Sequence, residues 1–89
     1  MAGKPHQMGD TGRLVASNIR CARQLRGLSY AEFSRRLTAY GHPILDTGLM
    51  KIEKGTRRVD VDDLVALGAI LEIAPAFLIM GDVRQSLPF

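Results

Sequence analysis

A single cysteine, Cys21, stands among the 89 residues, so no internal disulfide can form and a reducing compartment is expected. No apolar run reaches the ~18 residues that a membrane helix needs. The opening residues, MAGKPHQMGD, lack the apolar core of a secretory leader. Together these absences lead to the expectation of a cytoplasmic protein. Two histidines occur, His6 and His42, too far apart in the chain to form a metal-binding pair. Histidine pairs, cysteine clusters and glycine-rich phosphate loops are all missing. The expectation is therefore no enzyme, no metal or other cofactor and no small-molecule ligand. Strand-like alternation and internal repeats are also lacking.

What is present suffices for one domain with a modest core. Hydrophobic residues make up 46% and charged residues 24%, a balance that excludes a disordered tail. Acids are scarce where bases are dense. Between residues 13 and 58 only Glu32, Asp46 and Glu53 oppose ten arginines and lysines. From residue 59 onward the pattern inverts, with Arg84 alone against Asp60, Asp62, Asp63, Glu72 and Asp82. A chain divided in this way has a positive side, and a positive side suits a polyanion.

Residues 1–10, rich in glycine and polar groups, read as a flexible arm. A first helix is expected from Thr11 to Arg26, with Val15, Ile19 and Ala22 inward and Gly27 as its stop. Ser29 and Glu32 have the spacing of a capping box for a second helix, with Phe33 and Leu37 inward and Arg35 and Arg36 outward. That helix ends near Tyr40 at the Gly41–Pro43 break. In ILDTGLMKIEKG, Leu45, Leu49 and Ile52 form one stripe and Thr47, Met50, Lys51 and Lys54 the opposite one. The third helix lies there, stopped by Gly55. Asp60 is the expected N-cap of a fourth helix with Leu64, Leu67 and Leu71 inward, and Asp62 and Asp63 suit its positive end. Pro75 opens a short fifth helix carrying Phe77, Leu78 and Met80. The remainder, residues 81–89, reads as a tail. The expected architecture is all-α, five helices around one core, with the domain spanning residues 11–80.

The stretch GLMKIEKGTRR gathers Lys51, Lys54, Arg57 and Arg58 around Gly55, with one acid, Glu53, among them. A helix fits the DNA major groove, and its outward side chains can reach base edges. Bases flanking such a helix fall near phosphates, which supply affinity and register but no sequence choice.

The chain here resembles the lambda repressor and Cro-type helix-turn-helix proteins. The resemblance covers roughly residues 18–79 and rests on IRCAR before GLSYAEFSRRL, then KIEKG, then the leucine-rich helix after DVDDL. It implies a compact five-helix DNA-binding domain whose third helix reads the major groove. It implies that Glu53 pairs with Arg23 of the first helix and is structural. It implies base contacts from Tyr30, Asp46, Thr47 and Lys51, and phosphate contacts from Arg35, Lys54, Arg57 and Arg58. Thr47 can meet a thymine, Lys51 a guanine and Asp46 a cytosine. Gly48 is expected to let the backbone come close to the DNA. Two departures from the family pattern stand out. Tyr30 replaces an amide side chain, and TAYGHP between Leu37 and Ile44 lengthens the turn.

These expectations converge on a sequence-specific transcriptional regulator, a repressor of double-stranded DNA acting as a homodimer. The arm, through Lys4 and Arg13, is expected to touch backbone or minor groove. The rival expectation is an antitoxin-like module that docks a protein partner through its apolar C-terminus, with VRQSLPF as the docking segment and DNA binding secondary; the apolar set Phe77, Met80, Leu87 and Phe89 belongs either to the core or to a dimer seam.

Overall fold

The first helix, α1 (Asp10–Leu25), carries the inward stripe that the spacing predicts, with Val15, Ile19 and Ala22 all buried. The computed structural model describes residues 8–86. Lys4, His6, Leu87 and Phe89, and so most of the expected arm and the end of the expected tail, lie outside the described residues. Five more helices follow: α2 (Tyr30–Tyr40), α3 (Asp46–Lys54), α4 (Val61–Leu71), α5 (Pro75–Met80) and α6 (Val83–Ser86). No strand occurs among the described residues. α1 runs behind the others and packs against α3, α4, α5 and α6, while α2 packs on α3 and α4. Ile19, Phe33, Leu37, Leu49, Leu67 and Leu78 meet in the middle with no exposed surface. Each such aliphatic or aromatic side chain contributes about 1.5–3 kcal/mol by leaving water.

Three expectations need correction. Six helices replace five, because residues 83–86 form a further turn of helix and Val83 is buried against the core. Its amide end is anchored locally: the Asp82 carboxylate accepts from the Arg84 amide at 3.0 Å. Leu45 does not belong to the inward stripe of α3. It occupies the N-cap in extended conformation (φ −70°, ψ 157°) and is 75% exposed, whereas Ile44 enters the core. Helical spacing assigns a face only where the backbone is already helical. The Ser29–Glu32 pair forms half a capping box. Ser29 Oγ accepts from the Glu32 amide at 3.0 Å, but the Glu32 carboxylate turns to Arg35 and Arg36. Of the C-terminal apolar set, Leu78 is buried and Phe77 half-buried, while Met80 is exposed.

The turns on either side of α3 are set by glycine. Gly41 (φ 103°) and Gly55 (φ 80°) adopt the left-handed region that other residues enter at a cost of about 1–2 kcal/mol. After Gly41 the His42 amide bonds back to the Leu37 carbonyl at 2.9 Å, which closes α2. At the end of α4, Glu72 takes the same conformation (φ 59°) without being glycine. There the Ile73 amide returns to the Gly68 carbonyl at 3.0 Å, and Arg26 of the first turn reaches across to donate to Leu71 O at 3.0 Å.

A buried asparagine that the periodic pattern does not reveal joins the two ends of the domain. Asn18, 2% exposed, donates through Nδ2 to Leu78 O at 3.0 Å and Gly81 O at 2.9 Å. Its Oδ1 accepts from the Val83 amide at 3.0 Å. Three backbone groups at the α5–α6 junction thus find their partner on α1. Asn18→Ala is expected to destabilise the domain by about 1–3 kcal/mol for each buried group left bare. Urea unfolding followed by circular dichroism measures it, and a loss below about 0.5 kcal/mol contradicts the assignment.

Candidate nucleic-acid interface

α3 is nine residues long, too short to be helical on its own in water. Its position therefore depends on what it packs against. Leu49 and Ile52 bury its inner stripe completely. Thr47, Met50, Lys51 and Lys54 lie on the outer face, and all four are exposed. Neither lysine ammonium makes a hydrogen bond or ion pair among the described residues. Arg20, Arg35, Arg36 and Arg58 are exposed as well.

Glu53 belongs to the inner side of α3, with its side chain only 3% exposed. Arg23 of α1 grips it with two parallel bonds, Nε to Oε2 at 2.6 Å and Nη2 to Oε1 at 3.1 Å. The third guanidinium nitrogen, Nη1, donates to Leu28 O at 2.9 Å. Tyr30, first residue of α2, donates its hydroxyl to Glu53 Oε1 at 2.9 Å and lays its ring 4.2 Å from the Arg23 guanidinium. The Glu53 hydrogen bond raises the Arg23 pKa above its usual value, against the opposing effect of burial. Burial, then the bond to Glu53, raises that of Tyr30. Tyr30 therefore remains a neutral donor, and its hydroxyl is engaged inside the protein. Its ring is half-buried.

A second buried carboxylate lies on α4, in contact with the segments before and after α3. Asp63, third residue of α4, is 4% exposed. It closes a reciprocal capping box with Asp60: the Asp63 amide donates to Asp60 Oδ1 at 2.7 Å, and the Asp60 amide donates to Asp63 Oδ2 at 3.2 Å. The Asp63 carboxylate also meets His42 Nε2 at 2.7 Å and Arg57 Nη2 at 3.7 Å. Burial pushes the Asp63 carboxyl up, but the His42 bond, the Asp60 amide and the Arg57 charge together bring it below the usual aspartate range. The sequence signals the Asp60 cap but neither the reciprocal bond from Asp63 nor its pairing with a histidine in the turn before α3. Ser34 is a further unforeseen anchor, since its Oγ donates to Ile44 O at 2.6 Å.

The remaining expected contact residues divide. Asp46, half-buried, opens α3, where the helix dipole favours its charge. Arg35 is exposed beside Glu32, and Arg13 bonds to Asp10 and to Met8 O. Arg57 is drawn inward to Asp63, and its Nη1 is buried without a hydrogen-bond partner. It is thus not the freely projecting phosphate ligand that its sequence position suggests. A Cβ on Gly48 would come within 3.1 Å of Ile44 Cγ2, so the glycine gives room to Ile44.

Comparison of the chain with protein-family models, curated proteins and solved structures finds no match. No helix among the described residues is long and apolar enough to cross a membrane, and none of their His, Cys, Asp and Glu side chains group as metal ligands.

Two outcomes follow from the buried carboxylates. Glu53→Gln leaves Arg23 charged and unpaired and is expected to cost about 3–5 kcal/mol, read from the urea midpoint. Asp63 has a depressed folded-state pKa, so its contribution is fully present above the unfolded value near 4 and is lost as pH falls through the lower folded value. The stability gap between the wild type and Asp63→Asn should be constant from about pH 5 to 6 and shrink below about pH 4. A gap independent of pH down to 2 contradicts this.

Proposed function

We propose that the chain is a sequence-specific regulator of transcription that binds double-stranded DNA through the major groove with α3, acting in the cytoplasm as a homodimeric repressor. The observation that carries this reading is the two-sidedness of α3. Its inner stripe is buried, the acid near its end, Glu53, is locked to Arg23 and Tyr30, and its outer face presents the side chains of Thr47, Met50, Lys51 and Lys54 without internal partners. Thr47 and Lys51 are the base-reading candidates, and Asp46 contributes at the entry of the helix. Lys54, Arg58 and Arg35 serve phosphates. The resemblance of KIEKG and its flanking helices to lambda repressor and Cro-type proteins supports the same assignment. It makes the domain a member of that fold in the proposal, with α6 added. Two α3 helices one DNA turn apart, about 34 Å, require the dimer.

The second reading, an antitoxin-like protein-interaction module, draws on a different observation. Met80 is 82% exposed and Val61 76%, with Val65 and Ile79 also uncovered. Copurification of a stoichiometric partner, lost on Met80→Lys, would favour it.

Selection from a random duplex library tests the first reading. The expected result is an inverted repeat bound at least about a thousandfold tighter than scrambled duplex. Lys51→Ala should lose about 1–3 kcal/mol of discrimination at particular base pairs, whereas Lys54→Ala should weaken all sequences alike and flatten the salt slope by about one unit. Equal, salt-sensitive binding to every duplex sinks the reading.

A further inference from the structure

The outward face of α3 is useful only if the helix is held at one angle, and its two halves are held differently. The C-terminal half has the Arg23–Tyr30–Glu53 lock. The N-terminal half, with Asp46 and Thr47, has no side-chain cap, and the N-cap residue Leu45 points to solvent. Leu49 and Ile52 anchor one stripe, which leaves the helix able to roll about it. What remains to fix the entry of α3 is the lengthened turn before it. That turn is fastened by Ile44 in the core, by Ser34 Oγ on Ile44 O and by His42 Nε2 on Asp63. The same Asp63 carboxylate faces Arg57, three residues beyond the end of α3. One buried side chain on α4 therefore touches the connections on both sides of α3.

We infer that Asp63 is a positioning residue for DNA recognition: through His42 and Arg57 it clamps the segments entering and leaving α3 and so sets the angle at which α3 meets base edges. This rests on the DNA-binding reading above. The geometry fits the role. Asp63 Oδ1 serves His42, while Oδ2 serves the Asp60 amide and faces Arg57, so the carboxylate cannot rotate without giving up a partner. Its burial excludes water that would otherwise compete for those bonds. The lengthened turn is, on this account, a strut rather than slack chain, and His42 is its point of attachment.

The deciding variant is His42→Ala, which cuts the entering arm of the clamp but leaves Asp63 and its capping box in place. His42→Gln is its control, because the glutamine amide can donate from near the position of Nε2. Two readouts are taken on the full chain at a temperature where circular dichroism shows all three proteins folded. The first is the affinity ratio between the selected duplex and a scrambled one. His42→Ala should lower it about tenfold through loss of specific binding, with affinity for scrambled duplex and the salt slope unchanged, and His42→Gln should restore most of it. A general loss of folding would weaken both duplexes together and would not be rescued in this pattern. The second, without DNA, is amide hydrogen exchange at Leu49 and Met50, which should accelerate about tenfold in His42→Ala and recover in His42→Gln. An unchanged ratio overturns the positioning role even where the wild type is strongly specific. A wild type with no specificity overturns the DNA reading instead. In that case faster exchange upholds the clamp as a device for holding α3, and unchanged exchange overturns the clamp as well.

Discussion

The bond between Arg23 and Glu53 is the constraint around which this fold is arranged. α3 is short and amphipathic, and two inward side chains alone would leave its orientation loose. The guanidinium adds direction to what hydrophobic burial leaves undirected, because two parallel bonds fix an angle as well as a distance. Arg23 spends its remaining nitrogen on Leu28 O, and Tyr30 covers the guanidinium with its ring. One ion pair therefore ties together α1, the turn after it, the start of α2 and the end of α3. Its net stabilisation is small after desolvation, and its value lies in specifying one arrangement.

Much of this was legible in order along the chain. The stripe Val15, Ile19, Ala22, the glycine stops and the Asp60 cap all depend on neighbours within one or two turns of helix, and such signals survive in a linear sequence. Glu53 was legible for another reason, the resemblance of its motif to a known family. What escaped was long-range or local in an unexpected frame. Asn18 serves backbone groups some 60 residues away, and nothing near it marks that role. His42 and Asp63 lie 21 residues apart and meet because two helices bring them together. Leu45 leaves the inward stripe because one extended residue at the N-cap breaks the helical register that its spacing from Leu49 suggests. Arg57 looked like one more surface base because its sequence context is basic, while its nearest acid comes from the next helix.

The two buried carboxylates divide the labour. Glu53 is answered by a permanent cation, so the pairing does not depend on acidity in the physiological range. Asp63 is answered by a histidine, an arginine at longer range and a backbone amide. The first fixes α3 to the body of the domain, and the second connects the body to the turns around that helix. Asn18 does a similar service at the opposite end, where α5 and α6 would otherwise present bare amide and carbonyl groups.

All of these fastenings leave the outer row of α3 uninvolved. Among the described residues the side chains of Thr47, Met50, Lys51 and Lys54 support no cap or ion pair, and α3 keeps its place through residues behind them and through backbone bonds such as Thr56 N–H to Lys51 O. The scaffold and the outer face it carries are thus chemically separable. A lineage, or an experimenter, can rewrite those four side chains without having to re-solve the folding problem.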